Sequence, residues 1–178
     1  MEKTPLALVG ITSSEWLTKC ETPNLAIESL RDFKTVDDSI AIRTPSLGAI
    51  SREKGRKYVL GYVKLWIIYF QGNLNIKNTM TEGMIDLAAQ MLFDTHPSCT
   101  LADIKIVFTD ALMGHYGEFY EALSIPKIMG WFNDYFEERI IKCAEISYAQ
   151  HLDLKEQRPF EWDEPVQKPN KLKHKKGK

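Results

Sequence analysis

Residues 58–70 read Tyr58-Val59-Leu60-Gly61-Tyr62-Val63-Lys64-Leu65-Trp66-Ile67-Ile68-Tyr69-Phe70, the most apolar run in the chain, holding a single charge at Lys64. A bilayer crossing needs roughly 20 unbroken apolar residues, so this run is expected to be a buried helix and not a membrane span. Working backwards, Leu47, Ile50, Tyr58, Val59, Tyr62, Val63, Trp66, Ile67 and Phe70 recur at three- and four-residue steps, the period of one helix face. Thr44-Pro45-Ser46 supplies a start, and Arg52, Glu53, Lys54, Arg56 and Lys57 form a solvated stretch before the apolar part. The spacing predicts one long helix, kinked near Gly55 and ending around Gly72-Asn73.

The same period continues toward the C-terminus. Asn78-Thr79-Met80-Thr81-Glu82 offers capping residues ahead of Met84, Ile85, Leu87, Ala88, Met91, Leu92 and Phe93, a series that stops at His96-Pro97. Thr100-Leu101-Ala102-Asp103 has the form of a capping box, in which the threonine hydroxyl accepts a backbone N–H and the acid lies near the positive helix end. Its helix carries Ile104, Val107, Phe108, Ala111 and Leu112 and ends at Gly114. His115-Tyr116-Gly117-Glu118-Phe119-Tyr120 reads as a compact turn whose glycines serve either positive φ or a close backbone approach. Ser124-Ile125-Pro126 opens a last helix, with an apolar face of Ile128, Met129, Trp131, Phe132, Tyr135, Phe136, Ile140, Ile141 and Ala144 running to about Leu152. Strand alternation is hard to find. The expected class is all-α, a single orthogonal bundle of four or five helices.

Toward the N-terminus the pattern weakens. Thr22-Pro23-Asn24 starts one short helix over Leu25, Ala26, Ile27, Leu30 and Phe33, and residues 1–44 otherwise read as an arm packed on a bundle at 45–155. The patch Leu6 to Ile11 has only Lys3 before it and no small-residue cleavage site after it, so the segment is read as mature protein. Residues 156–178 read as extended, then as a disordered lysine-rich tail. With 178 residues, 23 basic and 24 acidic, the net charge is −1, but six lysines and no acid fall within Lys168 to Lys178, which leaves −7 for the rest. Cys20, Cys99 and Cys143 are odd in number and widely spaced, which argues against a disulfide framework and fits a reducing cytoplasm.

The chemistry is sparse. His96, His115, His151 and His174 share no ligand spacing, and there is no GxSxG or Walker-type loop. No cofactor, metal or catalytic residue is expected, and Cys143 is read as a small apolar residue facing the core or a neighbouring helix. Arg139 is expected to pair locally with its helix or to tie back to the turn. The glycine-aromatic turn is read first as a packed junction and second as a docking face for a protein partner, carried by Tyr116, Phe119, Tyr120, Trp131 and Arg139. Lys171, Lys173, Lys175 and Lys176 are candidates for sequence-independent phosphate contact through counterion release, and Arg52, Lys54, Arg56 and Lys57 for a second, weaker contact.

Several runs carry a resemblance. Tyr58-x-x-x-Tyr62-x-Lys64-Leu65-Trp66, Met80-Thr81-Glu82-x-x-Ile85-Asp86-Leu87 and Leu101-Ala102-Asp103-Ile104-Lys105-x-x-Phe108 are joined by Gly114-His115-Tyr116-Gly117-Glu118-Phe119-Tyr120-Glu121 and Trp131-Phe132-x-x-Tyr135-x-x-Glu138-Arg139. Together, over roughly residues 45 to 145, they resemble a family of small proteins encoded on phages and conjugative elements of gut anaerobes. More distantly, the order of elements is similar to the helical domains of phage helicase loaders, although no helicase-contacting segment transfers residue by residue. The resemblance implies an adaptor in mobile-element DNA replication, docking a protein such as a replicative helicase or primase through its body and nucleic acid through its tail. Two rivals stay open: a phage-encoded inhibitor of a host enzyme, and a small helical enzyme with a site near His115, Glu118 or Glu121.

Overall fold

Six helices begin at a threonine or serine whose hydroxyl accepts a backbone N–H three residues on, the local chemistry that starts a helix. The computed structural model describes residues 11–74, 78–117 and 122–157, and the expected tail lies outside them. The described residues form eight helices: α1 (Ser13–Lys19), α2 (Pro23–Ser29), α3 (Val36–Ile42), α4 (Leu47–Lys54), α5 (Arg56–Gly72), α6 (Glu82–Thr95), α7 (Leu101–Leu112) and α8 (Ile125–Gln157). The fold is all-α.

The chain divides into two units, Met1–Cys143 and Ala144–Lys178. In the first, α7 is the axis of the core. Nine of its residues are buried, from Leu101 through Phe108 and again at Ala111, as expected of a helix surrounded by others. It packs against α2, α3 and α5, while α5 lies between α4 and α6. Trp66 stacks on Phe108 at 5.5 Å, and Phe108 meets Phe70 and the edge of Phe132, so α5, α7 and α8 share one aromatic centre. In the second unit α8 continues as a helix with every side chain from Ala144 to Leu154 exposed.

Two helix starts are built against each other. The backbone N–H groups of Leu47 and Gly48 donate to the carbonyls of Cys99 and Pro97, that of Leu101 to Pro45, and that of Ala102 to the buried Thr44 hydroxyl. The first turns of α4 and α7 thus satisfy part of each other's orphan N–H groups. Gly48 is required there, since a Cβ would lie 3.1 Å from the Pro97 carbonyl oxygen.

Three expectations change in detail. The N-terminal segment holds three helices where one was expected, and Trp16, Leu17, Cys20, Ala26, Leu30, Val36 and Ile42 are core residues. Each is only seven residues long, too short for a 3.6-residue period to stand out. The kink at Gly55 is a full break: with φ at 89° and ψ at 155°, Gly55 ends α4 and precedes α5. The buried face of α8 stops at Phe136, leaving Ile140, Ile141 and Cys143 exposed. No helix among the described residues is long and apolar enough to cross a membrane.

Candidate functional site

The glycine-aromatic turn has the backbone its sequence demands: Gly114 and Gly117 adopt φ of 83° and 91°. Of the turn's Tyr and Phe rings, the one among the described residues, Tyr116, is spent on packing. Tyr116 stacks on Trp131 at 5.9 Å, and Trp131, only 4% exposed, also meets Phe70 at 5.1 Å. Burial and the carboxylates of Asp110, Asp134 and Glu138 push the Tyr116 hydroxyl up to about 12. Phe119 and Tyr120 lie outside the described residues, as do Glu118 and Glu121. His115 is exposed beside Asp110, with Nδ1 3.5 Å from the carboxylate.

Among the described residues Arg139 forms no ion pair within its own helix or with the turn. Its Nε lies 3.3 Å from Oδ1 of Asp103, and its guanidinium sits over the Phe136 ring. Asp103 is fully buried. The capping box expected of it is present, with Oδ2 accepting the Thr100 N–H at 2.8 Å and the Thr100 hydroxyl accepting the Asp103 N–H. The other oxygen accepts the Tyr135 hydroxyl at 2.7 Å and the Ser39 hydroxyl at short range. Burial and the adjacent negative charge raise the Tyr135 phenol, so it remains a donor. One carboxylate thus ties α3, α7 and α8 together, and the neighbouring Cys99 thiol is pushed well above its ordinary value by burial. Asp103, Ser39 and Tyr135 are all buried, with Arg139 at the edge of the cluster.

Among the described residues a surface concavity lies along α5. A groove of about 430 Å³ is lined by Glu21, Lys57, Tyr58, Gly61, Tyr62 and Leu65. A smaller depression of about 180 Å³, lined by Ser14, Leu17, Thr18, Glu21, Lys54 and Tyr58, shares two of these residues. Tyr58, 40% exposed, lines both. The break at Gly55 delivers the basic segment to this place. Of its four cations, Arg56 is engaged by Asp94 at 2.8 and 3.0 Å and lies over the Phe93 ring, while Lys54 is 3.2 Å from Glu53. Arg52 and Lys57 are exposed and make no ion pair among the described residues.

The N-terminus of α5 adds to this charge. Gly55 has no side chain to cap it, so the first-turn N–H groups keep part of their positive potential. Glu21 opposes it on the facing wall. The surface can therefore hold an anion on the Lys57 side and a flat apolar group against Tyr58 and Leu65. Neither Tyr58 nor Glu21 was singled out as a site residue in the sequence. Tyr58 shares the period of the buried face, and Glu21 lies near it only through packing of the N-terminal helices. Among the described residues no group of three or more His, Cys, Asp or Glu side chains could hold a metal ion. Comparison with protein-family models, with curated proteins and with solved structures finds no match to this chain.

Proposed function

We propose that the protein is a non-enzymatic adaptor that holds single-stranded nucleic acid at the junction of α4 and α5. Resemblance to proteins of phages and conjugative elements supplies DNA replication as the setting. The observation that carries the reading is the placement of Lys57, an exposed cation that makes no ion pair among the described residues, beside the exposed ring of Tyr58 in an open groove, with the exposed Arg52 close by in sequence at the end of α4. Phosphate contact by cations with stacking on an aromatic ring is the chemistry by which single strands are held without reading sequence. The terminal lysines Lys171, Lys173, Lys175 and Lys176 add a second cationic segment in the sequence.

The test is fluorescence anisotropy with a labelled oligothymidine at salt concentrations between about 50 and 200 mM. The double variant Arg52→Ala/Lys57→Ala reduces the slope of log affinity against log salt by about 1.4, since each single-strand phosphate contact contributes about 0.7. Tyr58→Ala weakens binding by about 1–3 kcal/mol. Removing residues 168–178 lowers the slope further. An unchanged slope and affinity in the double variant would refute the junction as the contact.

A further inference from the structure

The groove along α5 carries charges of both signs around an apolar floor. Glu21 stands in the link between α1 and α2, set between the buried Cys20 and Thr22, whose hydroxyl accepts the Leu25 N–H. It is exposed and forms no ion pair among the described residues, and Lys57 on the same groove is equally unpaired. Tyr58, Gly61 and Leu65 follow one another at three- and four-residue steps, so they share one face of α5. The exposed Tyr58 and Leu65 are two helical turns apart, about 10 Å of rise. Gly61 lies in the turn between them, and a Cβ there would meet nothing within 4 Å. Alanine would suit the middle of a helix better than glycine. The missing side chain leaves room over the α5 backbone for a flat ring resting on Tyr58.

We propose that the groove prefers guanine among the bases of a bound single strand, and that Glu21 is the residue that reads it. The inference rests on the nucleic-acid reading of this groove and adds a base preference to it. The argument is the match of donors to acceptors. A carboxylate offers acceptors only, and the bases of a single strand are open to reading on their Watson–Crick edges. Guanine alone presents two adjacent donors there, N1–H and the 2-amino group, which a carboxylate accepts as a parallel pair. Adenine and cytosine place one amino group beside a bare ring nitrogen, and thymine places its N3–H between two carbonyl oxygens. Each of these three sets a lone pair against an oxygen of Glu21.

The other groups keep the parts already given to them: Lys57 meets a phosphate, Tyr58 stacks on the base and Gly61 leaves it room. A carboxylate beside a phosphate chain repels every strand. Only a base with paired donors offsets that repulsion, so Glu21 acts by discrimination and not by raising affinity in general.

Fluorescence anisotropy of the full chain at about 200 mM salt, where base-blind charge contact is weak, tests it. The probes are labelled oligothymidines of about 12 nucleotides with thymidine, deoxyguanosine, deoxyinosine, deoxycytidine or deoxyadenosine at the centre. The deoxyguanosine strand is expected to bind about tenfold tighter than the all-thymidine strand. Deoxyinosine, which lacks the 2-amino group, loses most of that gain. Glu21→Ala abolishes the difference while raising affinity for the all-thymidine strand. Gly61→Leu, whose side chain enters open space, removes the guanine gain with circular dichroism unchanged. Five strands of equal affinity, each still weakened by Tyr58→Ala, overturn the guanine preference and leave the nucleic-acid reading standing. A guanine preference that survives Glu21→Ala overturns the assignment to Glu21, and absence of binding to every strand overturns both readings.

Discussion

Asp103 shows how much a single side chain can hold. A buried carboxylate is stable only when its lone pairs and charge are met: here Thr100, Ser39 and Tyr135 donate to it, and the Arg139 guanidinium lies alongside as counter-charge. Asp103→Ala leaves a partly buried guanidinium without its counter-charge and two buried hydroxyls without their acceptor, at an expected cost of about 3–5 kcal/mol. A domain of this size has only about 5–15 kcal/mol in total. The urea midpoint should fall accordingly, and Arg139→Met in the same background should recover part of the loss. The thiols divide as sharply. Burial pushes Cys20 up to about 12 and Cys99 well above its ordinary value, whereas Cys143 is exposed. Native protein should therefore release one equivalent of thionitrobenzoate from Ellman's reagent, and denatured protein three. Cys143→Ser should remove the native signal.

At the scale of elements, the caps were legible and the break between α4 and α5 only partly so. A capping hydroxyl and the backbone N–H that donates to it lie three residues apart in sequence, so Thr81, Thr100 and Ser46 announce their helices by themselves. Gly55 marks a change of direction whose angle depends on what α4 and α5 pack against. Its φ of 89° with ψ of 155° belongs to a region open essentially to glycine alone. Gly55→Ala should cost about 1–3 kcal/mol in thermal or denaturant unfolding, and it should shift the groove lined by Lys57 and Tyr58. A variant of unchanged stability would mean that the junction is free to rearrange. The apolar face of α8 was read too far, through Ile140 and Ile141, because periodicity continues past the point where the body ends. Periodicity says which side chains share a face, while burial depends on whether another element lies against it.

For the molecule as a whole, pH links local burial to stability. His96 closes α6, its ring stacked on Phe136 at 4.5 Å with Nε2 3.0 Å from the Asn133 side-chain oxygen. Burial lowers its pKa, an effect the Asn133 hydrogen bond only partly offsets. The folded state therefore resists protonation more than the unfolded chain, whose histidine titrates near 6.5. Above that value the His96 contribution is fully present, and as pH falls below it toward the lowered folded value, stability is lost. Melting temperature should drop between about pH 7 and pH 5, with a shallower drop in His96→Gln.

Much of the fold was determined by local relations that need no third dimension: the all-α class, the starts of α6, α7 and α8, and the positive φ of Gly114 and Gly117. These depend on residues within one helical turn of each other. Only the tertiary structure decided that residues 39, 103, 135 and 139 share one buried carboxylate, and that Trp131 is core and not surface. It likewise decided that of four neighbouring cations Arg56 is bound across to Asp94 while Arg52 and Lys57 face solvent, Lys57 in the groove with Tyr58. The physical reason is that burial and charge pairing are properties of which distant segments meet, and a linear pattern carries no record of that meeting.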